Sequence, residues 1–121
     1  MKQFVITLVL LAFGIGVFAA TPEDEINALL TEVQNQNGLV FIRNGSEYSA
    51  SQAADHLRVK WKAGGDRIKS AEEFIIYCGT KASVSGVKYK VRLSNGKEQF
   101  ADEFLTGVLA RLRSHERPRS S

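Results

Sequence analysis

Apolar positions recur along this chain in two rhythms, one of period 3.6 and one of period 2. Ile26, Leu29, Leu30 and Val33 stand at i, i+3, i+4 and i+7, one side of a helix. Thr21 precedes them as a cap and Pro22 as a first-turn proline. Glu23, Asp24 and Glu25 carry charge suited to the positive end of a helix dipole. Asn37-Gly38 predicts where that helix stops. The β-rich run Leu39 to Arg43 predicts a strand, and Asn44-Gly45 a turn. Ser49 with Gln52 three residues on forms a capping box. It opens a second helix with Ala50, Ala53, Ala54, Leu57 and Trp61 on one face, closed by Gly64-Gly65. Ser70 and Glu73 predict another capping box, for a helix whose inner stripe is Ala71, Phe74, Ile75 and Cys78.

The period then changes. Val87, Tyr89, Val91 and Leu93 alternate with Lys88, Lys90 and Arg92, the pattern of a half-exposed strand. Asn95-Gly96 predicts a hairpin into a return strand, 97–100, and Phe104, Leu105, Val108 and Leu112 mark a final helix. These elements predict an α+β fold. A small antiparallel three-stranded sheet (39–43, 87–93 and 97–100) packs with about four helices. The expected core is Ile26, Leu30, Val33, Phe41, Ala54, Leu57, Trp61, Phe74, Ile75, Val91, Phe104 and Leu112.

The N-terminus follows neither rhythm. Lys2 precedes an uncharged apolar run, Phe4 to Val17, and Val17-Phe18-Ala19 supplies small residues for signal peptidase. The expectation is a signal peptide over 1–19, a single domain over 20–115 and a disordered tail over 116–121. The protein is then exported to the periplasm, with no stable membrane insertion after cleavage, because the run is short of a spanning helix. Cys78 is the single cysteine, so the domain must stand on packing alone or pair Cys78 with another molecule.

Charge is unevenly spread. Residues 20–57 hold six carboxylates and one arginine, whereas residues 58–97 hold ten bases and three carboxylates. The basic half suits an acidic partner or an anionic surface. It lacks the interleaved aromatics of a nucleic-acid groove, so a nucleic-acid partner is not expected.

Four spaced segments share a further pattern. They are Phe41-x-Arg43-Asn44-Gly45-Ser46-x-Tyr48, Ala53-Ala54-x-His56-Leu57-x-x-Lys60, Ala71-Glu72-x-Phe74-Ile75 and Ser83-x-Ser85-Gly86-x-x-Tyr89. In this order they resemble the YfeK-like family, small exported bacterial proteins forming a domain of unknown function. The resemblance runs from the first helix to Leu112. It implies a bacterial periplasmic protein and no established activity.

Candidate chemistry gathers around the second helix. His56 and Lys60 are four apart, so they can reach one ligand or one neighbour. Arg43 and Asn44 end the strand before that helix, and Ser83 and Ser85 lie in a small-residue loop. Together with Tyr89 these residues would hold an anion or a carboxylate. The competing reading is that they satisfy one another. No catalytic residue is assigned. Asp55 and His56 are adjacent and point apart, and Ser83-Val84-Ser85-Gly86 lacks the first glycine of a nucleophile elbow. No metal or cofactor is expected, since the second histidine is the remote His115. Ser85-Gly86-Val87-Lys88-Tyr89 resembles the S-G-x-x-Y motif of periplasmic inhibitors of c-type lysozymes, in which that loop enters the enzyme cleft. The resulting expectation is a non-enzymatic binding module for an anionic small molecule or a protein partner. A lysozyme-inhibitor-like protein and a small hydrolase are the alternatives.

Overall fold

In the computed structural model, which describes residues 20–116, the first helix, α1 (Pro22–Gln34), starts as its sequence dictates. Thr21 accepts from the Asp24 backbone N–H at 3.1 Å, and the Asp24 carboxylate accepts in return from Thr21. Ile26, Leu29, Leu30 and Val33 are buried. The helix ends at Asn35, earlier than Asn37-Gly38 predicted. Gly38 instead turns the chain at φ +76°, against Ser94, into the first strand. The expected signal peptide lies outside the described residues. So do residues 117–121 of the expected tail, whereas Glu116 is the last residue of the final helix.

Strands β1 (Val40–Arg43) and β2 (Ser46–Ser49) form a hairpin with Phe41 opposite Tyr48 and Arg43 opposite Ser46. Asn44 and Gly45 make its two-residue turn at φ 52° and 81°. Positive φ at both positions is what a turn matched to strand twist requires. β2 corrects the three-strand expectation: the sheet has four strands, all antiparallel. Ser46-Glu47-Tyr48-Ser49 has only Tyr48 half-buried, so no apolar alternation announces it.

Ser49 both ends β2 and caps α2 (Ala50–Gly64), with the expected capping box to Gln52. A 3₁₀ turn over Gly65–Arg67 leads to α3 (Ala71–Cys78). Here the predicted capping box is only half made. Ser70 accepts from the Glu73 N–H, but the Glu73 carboxylate accepts from Lys69 N–H at 2.6 Å rather than from Ser70.

β3 (Lys90–Arg92) is shorter than the predicted 87–93, and β4 (Glu98–Phe100) runs directly into α4 (Ala101–Glu116). Val87 is exposed, so the alternation overstates the strand at that end. The chain before β3 pairs instead with the loop after α3: Tyr89 N–H donates to the Thr80 carbonyl and Ala82 N–H to the Val87 carbonyl. The sheet order is β2-β1-β3-β4.

The inner sheet face presents Phe41 and Val91 to the helices. α2 lies against β1 and β2, α4 against β3 and β4, and α1 and α3 complete the core beside them. The predicted core residues are buried except Trp61 and Leu112, which are half-buried at its margin. The outer sheet face is mixed, with Val40, Ile42 and Phe100 among charged side chains. There Arg92 bridges Glu47 at 2.7 Å and Glu98 at 3.7 Å, and Lys88 sits 4.2 Å from the Phe100 ring centre. Arg113, in the last turn of α4, forks onto Glu25 of α1 (2.8 Å) and Glu72 of α3 (2.6 Å). No helix among the described residues is long and apolar enough to cross a membrane.

Candidate functional site

A cavity of about 220 Å³ opens between the β1–β2 hairpin and α2. Phe41, Ala53 and Leu57 give its apolar wall, and Arg43, Tyr48, Gln52, His56 and Tyr89 give its polar groups. The hairpin positions the first pair. Tyr48 is the diagonal neighbour of Arg43 across the strands, within reach of a long side chain. Arg43 Nη2 donates to the Tyr48 hydroxyl at 3.1 Å, and the guanidinium carbon lies 5.3 Å from the ring centre. This hydrogen bond raises the arginine's affinity for its proton and lowers the Tyr48 phenol below its ordinary value. A guanidinium has five donors, so this bond leaves others for a ligand.

The second pair comes from α2. His56 and Lys60, one turn apart, converge on the hydroxyl of Tyr89. Lys60 Nζ donates to it at 3.1 Å and to the Lys81 carbonyl at 3.0 Å, and His56 Nε2 stands 3.2 Å away. Tyr89 is 3 % exposed, so its hydroxyl must find partners inside the protein. Lys60 can only donate. The hydroxyl therefore accepts from Lys60 and is free to donate its own proton to Nε2, an arrangement that goes with the Nδ1–H tautomer of His56. Burial, then the charges of Arg43 and Lys60, hold the imidazole below its ordinary pKa. His56 is thus a neutral acceptor near pH 7.

The residues singled out in the sequence separate into three groups. Arg43, His56 and Tyr89 meet at the cavity. Asn44 and Ser85 form a clasp, in which Ser85 Oγ donates to Asn44 Oδ1 at 2.7 Å and accepts from Val87 N–H. That bond ties the 81–88 loop to the hairpin turn. Ser83 lines a different cleft, with Lys60, Tyr77 and Cys78. Lys60 therefore braces Tyr89 from outside the cavity rather than lining it.

Ser85 Oγ is engaged with Asn44, and the hydroxyl beside His56 is that of Tyr89. In the Ser85–Tyr89 segment, Tyr89 points inward, away from any partner surface, and Ser85 to Lys88 are exposed. Cys78 is 1 % exposed, and burial raises its thiol pKa, so it behaves as a core side chain. Among the described residues no cluster of three His, Cys, Asp or Glu side chains could hold a metal ion.

Sequence reasoning missed Tyr48, Gln52 and the cavity itself. The available signal was Asn44-Gly45. As a two-residue hairpin turn it pairs 40–43 with 46–49 and brings Tyr48 beside Arg43.

Comparison with known proteins adds a family. The family model described as "Family of unknown function (DUF5329)" matches residues 20–113. The chain belongs to this family. It is similar to the uncharacterized protein YfeK of Salmonella typhimurium, with 34% identity over 92 residues, covering 74% of this chain and 77% of that protein. The expected YfeK-like resemblance is therefore shown. No solved structure matches the chain. The DUF5329 match spans every described helix and strand from α1 to β4 and most of α4, and so takes in every residue of the cavity.

Proposed function

We propose that this protein is an exported, non-enzymatic binding module that holds a small molecule in the cavity between the β1–β2 hairpin and α2. The observation that carries the reading is the cavity's composition. Apolar walls enclose a few oriented polar groups, the usual make-up of a small-molecule site. The groups are held in place beforehand: Arg43 by Tyr48, and Tyr89 by Lys60 and His56. Export is supported by Lys2, the apolar run Phe4 to Val17 and the Val17-Phe18-Ala19 sequence, with cleavage after Ala19 leaving the protein in the periplasm.

The test is a fragment titration followed by the backbone amide signals of the protein. Binders should move the signals of Phe41, Tyr48, Ala53 and His56 together. They should lose their effect in Ala53→Leu, which fills the space, while Asp55→Asn on the solvent side of α2 changes nothing. Shifts that avoid these residues, or that persist in Ala53→Leu, would refute the reading.

A further inference from the structure

We infer that the ligand of this cavity is a compact apolar monoanion, a carboxylate on a small aromatic or branched hydrocarbon body, seated with its charge on Arg43. The inference rests on the binding reading above and adds the chemical class. Three observations carry it.

The first is the charge inventory of the walls. Arg43 is a permanent cation at the cavity, and no carboxylate among the described residues lines it. The acids nearest in sequence are engaged elsewhere: Glu47 pairs with Arg92 at 2.7 Å, and Asp55, mostly exposed, is turned to Arg58 at 3.3 Å. An arginine without a wall carboxylate offers its remaining N–H donors to an incoming anion, and its planar fork fits a carboxylate.

The second is the count of charges available. Lys60, the other cation of α2, spends its contacts on Tyr89 and the Lys81 carbonyl, outside the cavity. His56 presents Nε2 to the Tyr89 hydroxyl as an acceptor. One full positive charge therefore faces the cavity, which matches a monoanion. A dianion would bring one charge more than the walls neutralise, into a site whose remaining surface is hydrocarbon.

The third is shape. Phe41, Tyr48, His56 and Tyr89 contribute four rings, and Ala53 and Leu57 complete the enclosure. The volume of about 220 Å³ lies below the roughly 300–1,000 Å³ of pockets for drug-sized ligands, which selects a small body. Gln52 adds no charge, and its carboxamide oxygen already accepts from Ser49 N–H.

The experiment titrates the full-chain protein with three probes of one ring size: benzoate, benzyl alcohol and phenylphosphonate. Amide signals report the site, and calorimetry reports affinity. Benzoate is expected to shift the signals of Tyr48, Ala53 and His56 saturably. Benzyl alcohol and phenylphosphonate should bind about tenfold more weakly or worse, the scale of one charge-assisted contact. Arg43→Gln, at a half-exposed position and so compatible with folding, should bring benzoate down to the level of the alcohol.

Equal binding of alcohol and benzoate, tighter binding of phenylphosphonate, or an indifferent R43Q would overturn the monoanion while leaving the cavity as a binding site. No shift at these residues with any of the three probes would overturn the binding reading itself.

Discussion

Lys60 Nζ lies 3.1 Å from the hydroxyl of Tyr89, a residue 29 positions further along the chain, and that hydroxyl in turn meets His56. Two side chains one helical turn apart thus secure one buried polar atom from another layer of the fold. The arrangement joins the two readings that the sequence set against each other. Lys60 satisfies a neighbour, and the neighbour it satisfies forms a wall of the candidate site.

Tyr89→Phe removes the shared hydroxyl and keeps the ring. It should destabilise the protein by about 1–2 kcal/mol, because His56 and Lys60 each lose a partner at a partly buried position. Urea denaturation of Y89F, Lys60→Met and the double variant checks this. The double variant should cost less than the sum of the two, since both remove the same contact.

The depressed pKa of His56 sets a pH dependence. The unfolded chain takes up the imidazole proton near the ordinary value of 6.5, and the folded chain only at lower pH. The groups facing it are Arg43 of β1, Lys60 of its own helix and Tyr89 before β3. Its contribution is therefore complete above the unfolded pKa and is lost as pH falls through the folded one. Urea midpoints at pH 7.5 and 5.5 should drop for the native chain and drop less for His56→Gln. Equal drops would show that the imidazole is not held neutral.

Arg113 joins α4 to α1 and α3 through four hydrogen bonds of 2.6–3.1 Å. Arg113→Ala should cost about 1–2 kcal/mol, above a simple surface pair because the guanidinium forks onto two carboxylates. Arg113→Lys should recover only part of this, having a charge but no fork. Glu72 is held below the ordinary carboxylate range by Arg113. The clamp is then intact above that range and weakens as pH falls through the folded value. Thermal melts of R113A and R113K at neutral and acid pH measure both effects.

Gly45 sits at φ +81° with open space where a Cβ would stand. Gly45→Ala should therefore cost about 1 kcal/mol through backbone conformation alone. Any larger loss on denaturation would reveal contacts beyond the turn.

The helices were legible because their apolar stripes and caps carry redundant information. Thr21, Ser49 and Ser70 all cap where their sequence context predicts. β2 was not legible by periodicity, since an edge strand with one half-buried residue has no apolar rhythm to show. The site was legible in part. His56 and Lys60 were paired by helical spacing, and they do share a partner, but spacing says nothing of what lies across the interface. Ser83 and Ser85, two residues apart in a loop, part company, Ser83 lining the cleft beside Cys78 and Ser85 bonding Asn44, because a loop has no period to place them.

The Arg113–Glu25 pair spans 88 residues, and α1 buries its stripe partly against α4. Of the described helices, the first to be made thus waits for the last. Until α4 has been synthesised, Ile26, Leu29 and Leu30 lack part of their cover, so a growing or shortened chain has no complete core to settle into.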